Sequence, residues 1–423
     1  MKNNETKKTG VYPSSTRSHW PSFLPAMRSA PAFLVLFLAT LLGWFGVYSR
    51  TPPAIANAVH AEEIRERSVQ QLSDTVGVLH RRSYFYVGGA YSPFQNESVP
   101  ASFISSGQVY VEHLVPQMVA QKLPIVMIHG NGMTGTNFLN TPDGRTGWSD
   151  YFLNQGYELY ILDQPSRARS PWQQGIDGPQ SIFDSLTIEQ RFTAAQRFNL
   201  WPQAHLHTQW PGNGSRGDEV FDSFYRSIVP SLVSNVESSQ KTRDAGIALL
   251  DKIGPAIVLT HSQSGQYGWP LADARPSLVK AIIAIEPMGP PFMNAIFPPL
   301  TVARPFGLTE VPMKFSPSIQ SSSDLRTRVV SSSPNFTCIQ QALPARKLVN
   351  LENVPVLVVT SESSYHTVYD ACSVEFLREA GVTVDHVNLQ DVGIFGNGHM
   401  MFMEKNRFEI ADQVLNKWLQ DRF

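Results

Sequence analysis

Short apolar runs that end abruptly in small or polar residues recur along most of the chain. Runs of this kind predict buried strands that break into turns, and the segments between them have helix-like patterns. The runs occupy residues 123–132, 257–269, 280–287, 354–363 and 382–389. Strands that alternate with helices are typical of a mostly parallel sheet with helices on both faces. The pattern therefore predicts an α/β fold with a doubly wound sheet.

Two long segments interrupt this alternation. Residues 171–250 carry many aromatic side chains, and residues 288–350 begin with a stretch rich in proline and phenylalanine. Prolines among apolar residues favour an irregular, rigid covering segment over a flexible linker. We therefore expect both segments to be lid insertions above the carboxyl edge of the sheet. Earlier in the chain, the alternating segments SYFYVGG and QVYVEHL predict an antiparallel pair of strands.

The N-terminal part of the chain has a different pattern. An uninterrupted apolar run is long enough to cross a bilayer, and five lysine and arginine residues precede it. The positive-inside rule then predicts a type II membrane protein whose globular domain is lumenal or extracellular. The predicted order is a cytoplasmic tail (1–29), a signal-anchor in the lipid bilayer (30–48), a stem (49–80) and the globular domain (81–423). The alternative is a secreted protein, cleaved in the AIANA segment near Ala56 or Ala58.

Charge and composition exclude some partners. The chain has 34 lysine and arginine residues against 35 aspartate and glutamate residues, a net charge of −1. Without a basic field to hold a polyanion, nucleic acid is not an expected partner. No spacing of cysteine and histidine residues typical of a metal site occurs, so we expect neither a metal nor another cofactor. The sequence leaves the oligomeric state open.

Two further features agree with export from the cytosol. Three sequons, at Asn96, Asn213 and Asn335, are candidates for N-glycosylation. Cys338 and Cys372 are the only cysteines, which permits one internal disulfide bond. The sequence does not decide between that bond and two buried free thiols.

The run IVLTHSQSGQYGW predicts a strand, a tight turn and a helix around two serines. In a nucleophile elbow, the residues two before and two after the nucleophile must be small, because strand and helix approach closely there. Choosing Ser262 places Thr260 and Ser264 at these positions, whereas choosing Ser264 places the larger Gln266 at the second. Ser262 is therefore the better candidate, although both glycines of G-x-S-x-G are missing and an ordinary turn is the alternative.

Two other loops supply the remaining catalytic groups. In a doubly wound sheet, loops at the carboxyl ends of the strands converge on one site. The glycine-bearing loop HGNGMTG can present the backbone N–H of Asn131 or Gly132 to an oxyanion, with a second N–H from Gln263 after the nucleophile. His399, in GIFGNGHMM after the last strand, can reach a serine across the sheet edge. His366 and His386 lie in a helix-like segment and a strand, so position favours His399.

A carboxylate must orient that imidazole, and the residues alone leave its identity open. Glu286 ends the strand after that of the nucleophile, and Glu362 ends the next strand, where this fold more often places its acid. Asp391 is a third and less well placed candidate. The chemistry of the residues does not rank the first two.

Taken together, the motifs resemble the α/β-hydrolases, and more narrowly the bacterial secreted esterases typified by the Alcaligenes esterase. The resemblance covers residues 124–418 and is strongest in TPDGRTGWSDYFLNQGY, LDQPSRARS, LTHSQSGQYGW, IEP and GNGHMM. The triad of that family implies Ser262, Glu286 and His399 here, with Glu362 as the fallback acid. Where the typical esterase has two adjacent cysteines in its oxyanion loop, this chain has Asn131 and Gly132, so substrate choice does not transfer.

The sequence thus predicts a serine hydrolase that cleaves small-molecule carboxylic esters through an acyl-enzyme. A thioesterase or lactonase with the same triad is one alternative, because the chemistry is shared. A hydrolase-fold binding protein without turnover is another. All triad elements and the oxyanion glycines are present, which favours the enzyme.

Overall fold

An eight-stranded sheet forms the centre of the part of the chain that the computed structural model describes, residues 74–96 and 99–423. The strands in chain order are β1 (His80–Asn96), β2 (Val99–Pro116), β3 (Ile125–Ile128), β4 (Leu159–Asp163), β5 (Gln180–Ser181), β6 (Ser231–Leu232), β7 (Ala256–His261), β8 (Val279–Ile285), β9 (Phe315–Ser316), β10 (Thr327–Ser333), β11 (Phe336–Gln341), β12 (Lys347–Leu348), β13 (Val356–Thr360) and β14 (Val384–Asn388). The central sheet has the order β1-β2-β4-β3-β7-β8-β13-β14.

The last six strands in that order are parallel, and β2 pairs antiparallel with both β1 and β4. The predicted mostly parallel sheet is therefore confirmed, together with the antiparallel pair that precedes it. The remaining strands form three small two-stranded sheets: β5 with β6, β9 with β12, and β10 with β11.

Helices cover both faces of the sheet. In chain order they are α1 (Trp148–Asn154), α2 (Ser185–Ile188), α3 (Ala195–Phe198), α4 (Glu219–Arg226), α5 (Asn235–Ile253), α6 (Gly265–Ala274), α7 (Asp370–Glu379), α8 (Arg407–Ile410) and α9 (Lys417–Gln420). Two π-helical turns, Glu189–Thr193 and Ala411–Asn416, continue α2 and α8.

Alternation along the strands divides the core in two. Within β7, Ile257 and Leu259 pack with α1 and the C-terminal helices, whereas Val258 packs with α5, α6 and α7. Successive side chains of a strand point to opposite faces, so a strand buried on both faces is apolar throughout. This is the reason that the runs of the sequence are continuous rather than alternating.

The first predicted insertion is shorter in the structure than in the sequence analysis. Its segment from residue 171 to 234 contains only short helices and strands, but Asn235–Ile253 is the long helix α5 of the sheet layer. Ala245, Leu249 and Leu250 of α5 join the core. Helical periodicity in a polar segment does not show whether the helix packs on the sheet or above it. The second segment, 288–350, consists of irregular chain and short strands.

The N-terminal predictions lie outside the described residues. These are the tail 1–29, the span 30–48 and most of the stem 49–80, because the description begins at residue 74. Within residues 74–96 and 99–423, none of the helices has the length and apolar character to cross a membrane. The Asn96 sequon also includes residues 97 and 98, which are not described, whereas Asn213 and Asn335 are exposed.

Cys338 of β11 and Cys372 of α7 form a disulfide bond with a Cα–Cα distance of 5.8 Å. The structure therefore favours the bonded alternative over two free thiols. The bond ties the hairpin of the second insertion to a helix of the sheet layer, and Gln340 Nε2 donates to the Cys372 carbonyl beside it at 2.7 Å.

We expect the double substitution Cys338→Ser with Cys372→Ser to lower the free energy of unfolding by about 2–4 kcal/mol, because the open chain gains entropy when unfolded. Urea unfolding of the variant and the wild type measures this difference. Wild-type protein kept in a thiol reductant is the matched control and should unfold like the variant. Equal midpoints for the oxidised wild type and the variant would contradict the expectation.

Candidate active site

Ser262 lies in a strained turn between β7 and α6. Its backbone is left-handed, with φ of +56°, which is uncommon for a residue other than glycine. The turn places Ser262 at the wall of a cavity, partly exposed, at the carboxyl edge of the parallel strands. This is the strand, turn and helix arrangement of a nucleophile elbow.

The second missing motif glycine, at the position of Ser264, has a local explanation. Ser264 is fully buried, and its Oγ accepts from His261 N at 2.8 Å and donates to the Ile128 carbonyl at 2.6 Å. Its hydroxyl thus ties the turn to the end of β3. Close approach is required one residue later, at Gly265, where a Cβ would lie 2.4 Å from the Pro287 side chain. The structure therefore makes Ser262, and not Ser264, the available hydroxyl.

Two unpaired backbone N–H groups flank Ser262. Among the described residues, neither Asn131 N nor Gln263 N donates to a protein acceptor. Gly132 N is engaged, because it donates to Ser231 Oγ at 2.9 Å and to Asn131 Oδ1 at 3.1 Å. Of the two loop candidates, Asn131 is therefore the one free to hold an oxyanion.

Arg167 connects the two strand ends that carry these N–H groups. Its guanidinium is buried and donates to the Gly130 carbonyl at 2.9 Å, to Gln263 Oε1 at 3.2 Å and to Asn131 Oδ1 at 3.5 Å. Burial lowers the pKa of Arg167 to about 10. These hydrogen bonds explain one residue of the LDQPSRARS motif, because Arg167 fixes the position of the HGNGMTG loop relative to the nucleophile elbow.

His399 and Glu286 form a buried pair at the same edge of the sheet. His399 Nδ1 donates to Glu286 Oε2 at 2.6 Å, and both side chains are shielded from solvent. Glu286 has a left-handed backbone, with φ of +44°, directly after β8. Ser361 donates to its Oε1 from both N and Oγ, and Ser364 Oγ donates to Oε2 at 2.7 Å. Four donors thus stabilise the carboxylate and fix its orientation.

The other two acid candidates lie elsewhere. Glu362 Oε2 accepts from Gly396 N at 2.7 Å and so stabilises the loop before His399 rather than the imidazole. Asp391 accepts from Asn388 Nδ2 at 2.9 Å, near the end of β14. The structure therefore brings Glu286, and neither alternative, to His399.

A second histidine, which the sequence analysis set aside, packs on the first. The rings of His366 and His399 are stacked, with centroids 4.9 Å apart and planes at 7°. His366 Nδ1 binds Asp370 Oδ1 at 2.9 Å, and its Nε2 lies 3.0 Å from the Tyr369 hydroxyl. A signal existed in the sequence: His366 and Asp370 are four residues apart in a helix-like segment, a spacing that pairs side chains. In the structure, His366 lies in a 3₁₀ turn and Asp370 begins α7.

The environment shifts both imidazoles. Burial and the neighbouring His366 hold the pKa of His399 well below its usual 6.5. Burial also opposes protonation of His366, but the carboxylates of Asp370 and Glu286 outweigh it and raise the pKa of that ring. Of the two rings, His366 therefore binds a proton more readily than His399, which favours a neutral His399 that can act as a base.

Tyr365 lies between the proposed nucleophile and base. Its hydroxyl is 3.3 Å from His399 Nε2 and also interacts with Ser262. In the described chain, Tyr365 is the hydrogen-bond partner of that nitrogen, and Ser262 is not bonded to it directly. Catalytic hydrogen bonds are often long or misaligned before substrate binds.

The described residues contain one group of three side chains close enough to share a metal ion: Glu286, His366 and His399. Their ligand atoms already have partners. Glu286 Oε2 holds His399 Nδ1, and both nitrogens of His366 are bonded to Asp370 and Tyr369. Because these bonds already engage the ligand atoms, the donor set does not fit a metal site.

Comparison with known proteins identifies the family of this chain. A model of the family described as "Alpha/beta hydrolase family" matches residues 125–413, which is most of the chain. The chain belongs to the alpha/beta hydrolase family. A relative named "Probable secreted lipase phiG", from a fungal species (strain ATCC 74256), is 48% identical over 341 residues, 80% of this chain and 89% of the relative.

A solved structure of a novel bacterial esterase is also similar to this alpha/beta hydrolase. It is 23% identical and covers 83% of this chain and 98% of its own, with a TM-score of 0.57. At that identity, the likeness supports the fold alone. The resemblance to bacterial esterases noted in the sequence thus has a structural counterpart at the level of the fold.

We expect replacement of His366 by asparagine to raise the pKa of His399, since a proton on His366 no longer repels one on the base. A base must be deprotonated, so the rate of labelling by a fluorophosphonate falls as pH drops through this pKa. In the wild type the fall should lie below pH 6.5, and in His366→Asn it should move to higher pH. Rates measured from pH 4 to 8 test this.

His386→Asn is the matched control, because His386 contacts Thr360 and not His399. Its profile should coincide with that of the wild type. The titratable side chains that contact His399, and could therefore shift its pKa, are Glu286, His366, His261 and Tyr365. A His366→Asn profile that is unmoved or displaced to lower pH would show that His366 does not tune the base.

Proposed function

We propose that this protein is a serine hydrolase that cleaves carboxylic esters through an acyl-enzyme on Ser262. The observation that carries the proposal is the buried 2.6 Å bond from His399 Nδ1 to Glu286 Oε2, beside a left-handed serine turn with two free N–H groups. The proposal assigns base, orienting acid and oxyanion donors to the Ser262 hydroxyl. The relative named as a probable secreted lipase supports an ester as the substrate.

In the proposed reaction, Ser262 Oγ first displaces the Tyr365 hydroxyl as the partner of His399 Nε2. Oγ attacks the acyl carbon while its proton passes to Nε2, and Glu286 stabilises the resulting imidazolium. His399 then returns the proton to the alcohol oxygen, and the alcohol leaves. Water, deprotonated by the same nitrogen, attacks the acyl-enzyme and releases the carboxylic acid. No step calls for a cofactor.

The negative charge of the tetrahedral intermediate falls on the former carbonyl oxygen. Asn131 N and Gln263 N are the proposed donors to it, and each such donor contributes about 3 kcal/mol to lowering the barrier in related sites. Arg167 acts as a positioning residue, because it holds the loop of Asn131 and the side chain of Gln263 to one guanidinium.

The alternatives differ in what they require of this site. A thioesterase or lactonase uses the same groups, and only a substrate comparison separates it from an esterase. A binding protein without turnover has no need of a strained serine, a buried acid–base pair and unpaired N–H groups in one place. Strain of this kind persists only where the surrounding structure imposes it, and it is concentrated at functional sites.

We expect a fluorophosphonate probe to label the wild type and not Ser262→Ala. Glu286→Gln should slow labelling by up to roughly 10⁴-fold, because a triad that loses its acid holds the imidazole in the wrong tautomer. Glu362→Gln is the matched control and should label within twofold of the wild type. Gel-based rates on folded protein, checked by circular dichroism, provide the measurement.

Two results would overturn the assignment. If Glu362→Gln is slower than Glu286→Gln, the acid has been assigned wrongly. If the folded wild type is not labelled and cleaves no 4-nitrophenyl ester, the binding protein becomes the better description.

We also infer that the catalytic domain is exported from the cytosol. The disulfide bond and the exposed Asn213 and Asn335 agree with an oxidising, glycosylating compartment. The apolar segment 30–48 would direct export, either as a retained anchor or as a signal removed near Ala56 or Ala58. The name of the fungal relative supports the secreted form.

Expression of the full chain with a C-terminal tag in a eukaryotic host tests export. We expect glycosidase treatment to lower the apparent mass, and Asn213→Gln with Asn335→Gln to remove that shift or leave only a contribution from Asn96. Protein in the medium indicates cleavage, and protein in carbonate-washed membranes indicates an anchor. An unglycosylated cytosolic protein with free thiols would contradict export.

A further inference from the structure

A cavity of about 310 Å³ adjoins Ser262 and contains two arginines. Its volume is in the range of small-molecule sites, about 300–1,000 Å³. Arg191 comes from the first insertion and Arg304 from the second, and Met288, Ala295 and Phe297 contribute apolar surface. In the described chain, no aspartate or glutamate lines this cavity. The space beside the proposed nucleophile is therefore cationic and in part apolar.

Arg191 has no polar partner among the described residues. Its guanidinium lies over the Phe297 ring at 4.0 Å, and its Nε is buried without a hydrogen bond. It belongs to the π-helical turn Glu189–Thr193, whose Phe192 stacks on His399 with centroids 5.1 Å apart. Such turns frequently occur at functional sites. The same turn thus contacts the proposed base and directs an unpaired cation into the adjoining cavity.

Arg304 is bonded, but its side chain contacts only neutral groups. Its guanidinium donates to the Pro290 carbonyl at 2.9 Å, to Asn294 Oδ1 at 3.2 Å and to the Met293 carbonyl. These bonds hold the loop of the second insertion in place. Glu310 accepts from the backbone N–H of Arg304 at 3.1 Å and forms no ion pair with its guanidinium. Arg304 therefore adds positive charge to the cavity while it supports the wall.

Arg304 is fully buried and Arg191 is partly buried, and a cation without a counter-ion is energetically unfavourable to the extent that it is buried. A buried charge without a counter-ion loses its hydration and gains little in return. Burial lowers the pKa of Arg304 to about 10, and electrostatic interactions with Tyr369 and Glu310 offset this only in part. Burial also lowers the pKa of Arg191, and Tyr365 and Asp184 offset this only in part. His366 also lines the cavity, but the carboxylate of Asp370 balances its charge. An anion bound there would restore the balance.

We propose that this cavity binds a carboxylate of the substrate, so that the natural ester is itself an anion. The inference rests on the proposed function, because Ser262 fixes where the scissile bond lies. Arg191 offers the planar, two-pronged donor geometry that matches a carboxylate. The apolar wall then packs against the carbon chain between carboxylate and ester.

The test compares esters that differ only in this charge. On the acyl side, 4-nitrophenyl hydrogen glutarate is paired with its primary amide. On the alcohol side, 4-acetoxybenzoate is paired with 4-acetoxybenzamide. We expect the wild type to prefer the anion in at least one pair, and we expect Arg191→Gln to lower the anion-to-amide ratio of kcat/KM by about 10- to 100-fold, as for a lost charged hydrogen bond. Arg191→Lys should retain part of the preference.

Arg226→Gln is the matched control, since Arg226 is an exposed arginine at the end of α4 in the same insertion. Its ratios should equal those of the wild type, which excludes an effect of overall charge. If the wild type shows no preference for the anion in either pair, or if Arg191→Gln leaves both ratios unchanged, the inference is wrong while the esterase proposal stands.

Binding separates the two proposals in the opposite case. Glutarate titrated into the wild type in a calorimeter should bind, and glutaramide should bind less tightly. Arg191→Gln should lose the difference. If no ester is cleaved but glutarate binds through Arg191, the carboxylate site stands and the proposed hydrolysis fails. Absence of any Arg191-dependent binding would contradict the carboxylate site.

Discussion

The left-handed backbone of Ser262 is the constraint on which the rest of the site depends. A side chain in that conformation costs on the order of 1–2 kcal/mol, so the surrounding structure must impose it. Ser264 ties the turn to β3 through its hydroxyl, and Gly265 lets α6 pack against Pro287. The conformation exposes the Ser262 hydroxyl and leaves Gln263 N unpaired. The proposed nucleophile and one proposed oxyanion donor therefore both result from the left-handed conformation of Ser262.

Burial determines the charge state of the acid–base pair, Glu286 and His399. Glu286 is buried, and four hydrogen-bond donors stabilise its carboxylate. A buried carboxylate without such partners would destabilise the fold. His399 is held between this acid and the stacked ring of His366, which favours the neutral imidazole. Of the two arginines of the adjoining cavity, Arg304 is bonded only to neutral acceptors, and Arg191 has no polar partner among the described residues. Charges are thus compensated around the proposed base, whereas positive charge is uncompensated in the cavity where the substrate is proposed to bind.

The sequence predicted well whatever depends on local pattern. Continuous apolar runs predicted the parallel strands, and small residues around Ser262 predicted the turn. Pairing residues that are far apart in the sequence required either the family resemblance or the structure, since the residues alone did not rank Glu286 against Glu362. The spacing of His366 and Asp370 indicates their pairing, but it does not indicate the stacking of His366 on His399, which lies on a separate loop. Arg191 was missed because an unpaired cation becomes informative only when its surroundings are known.

A crystal structure of the phosphonylated protein would test the central claim most directly. The account predicts phosphorus bonded to Ser262 Oγ and a phosphonyl oxygen about 2.7–3.1 Å from the N–H groups of Asn131 and Gln263. His399 Nδ1 should still be bonded to Glu286. An adduct on another residue, an oxygen that avoids both N–H groups, or His399 turned toward a different carboxylate would contradict it.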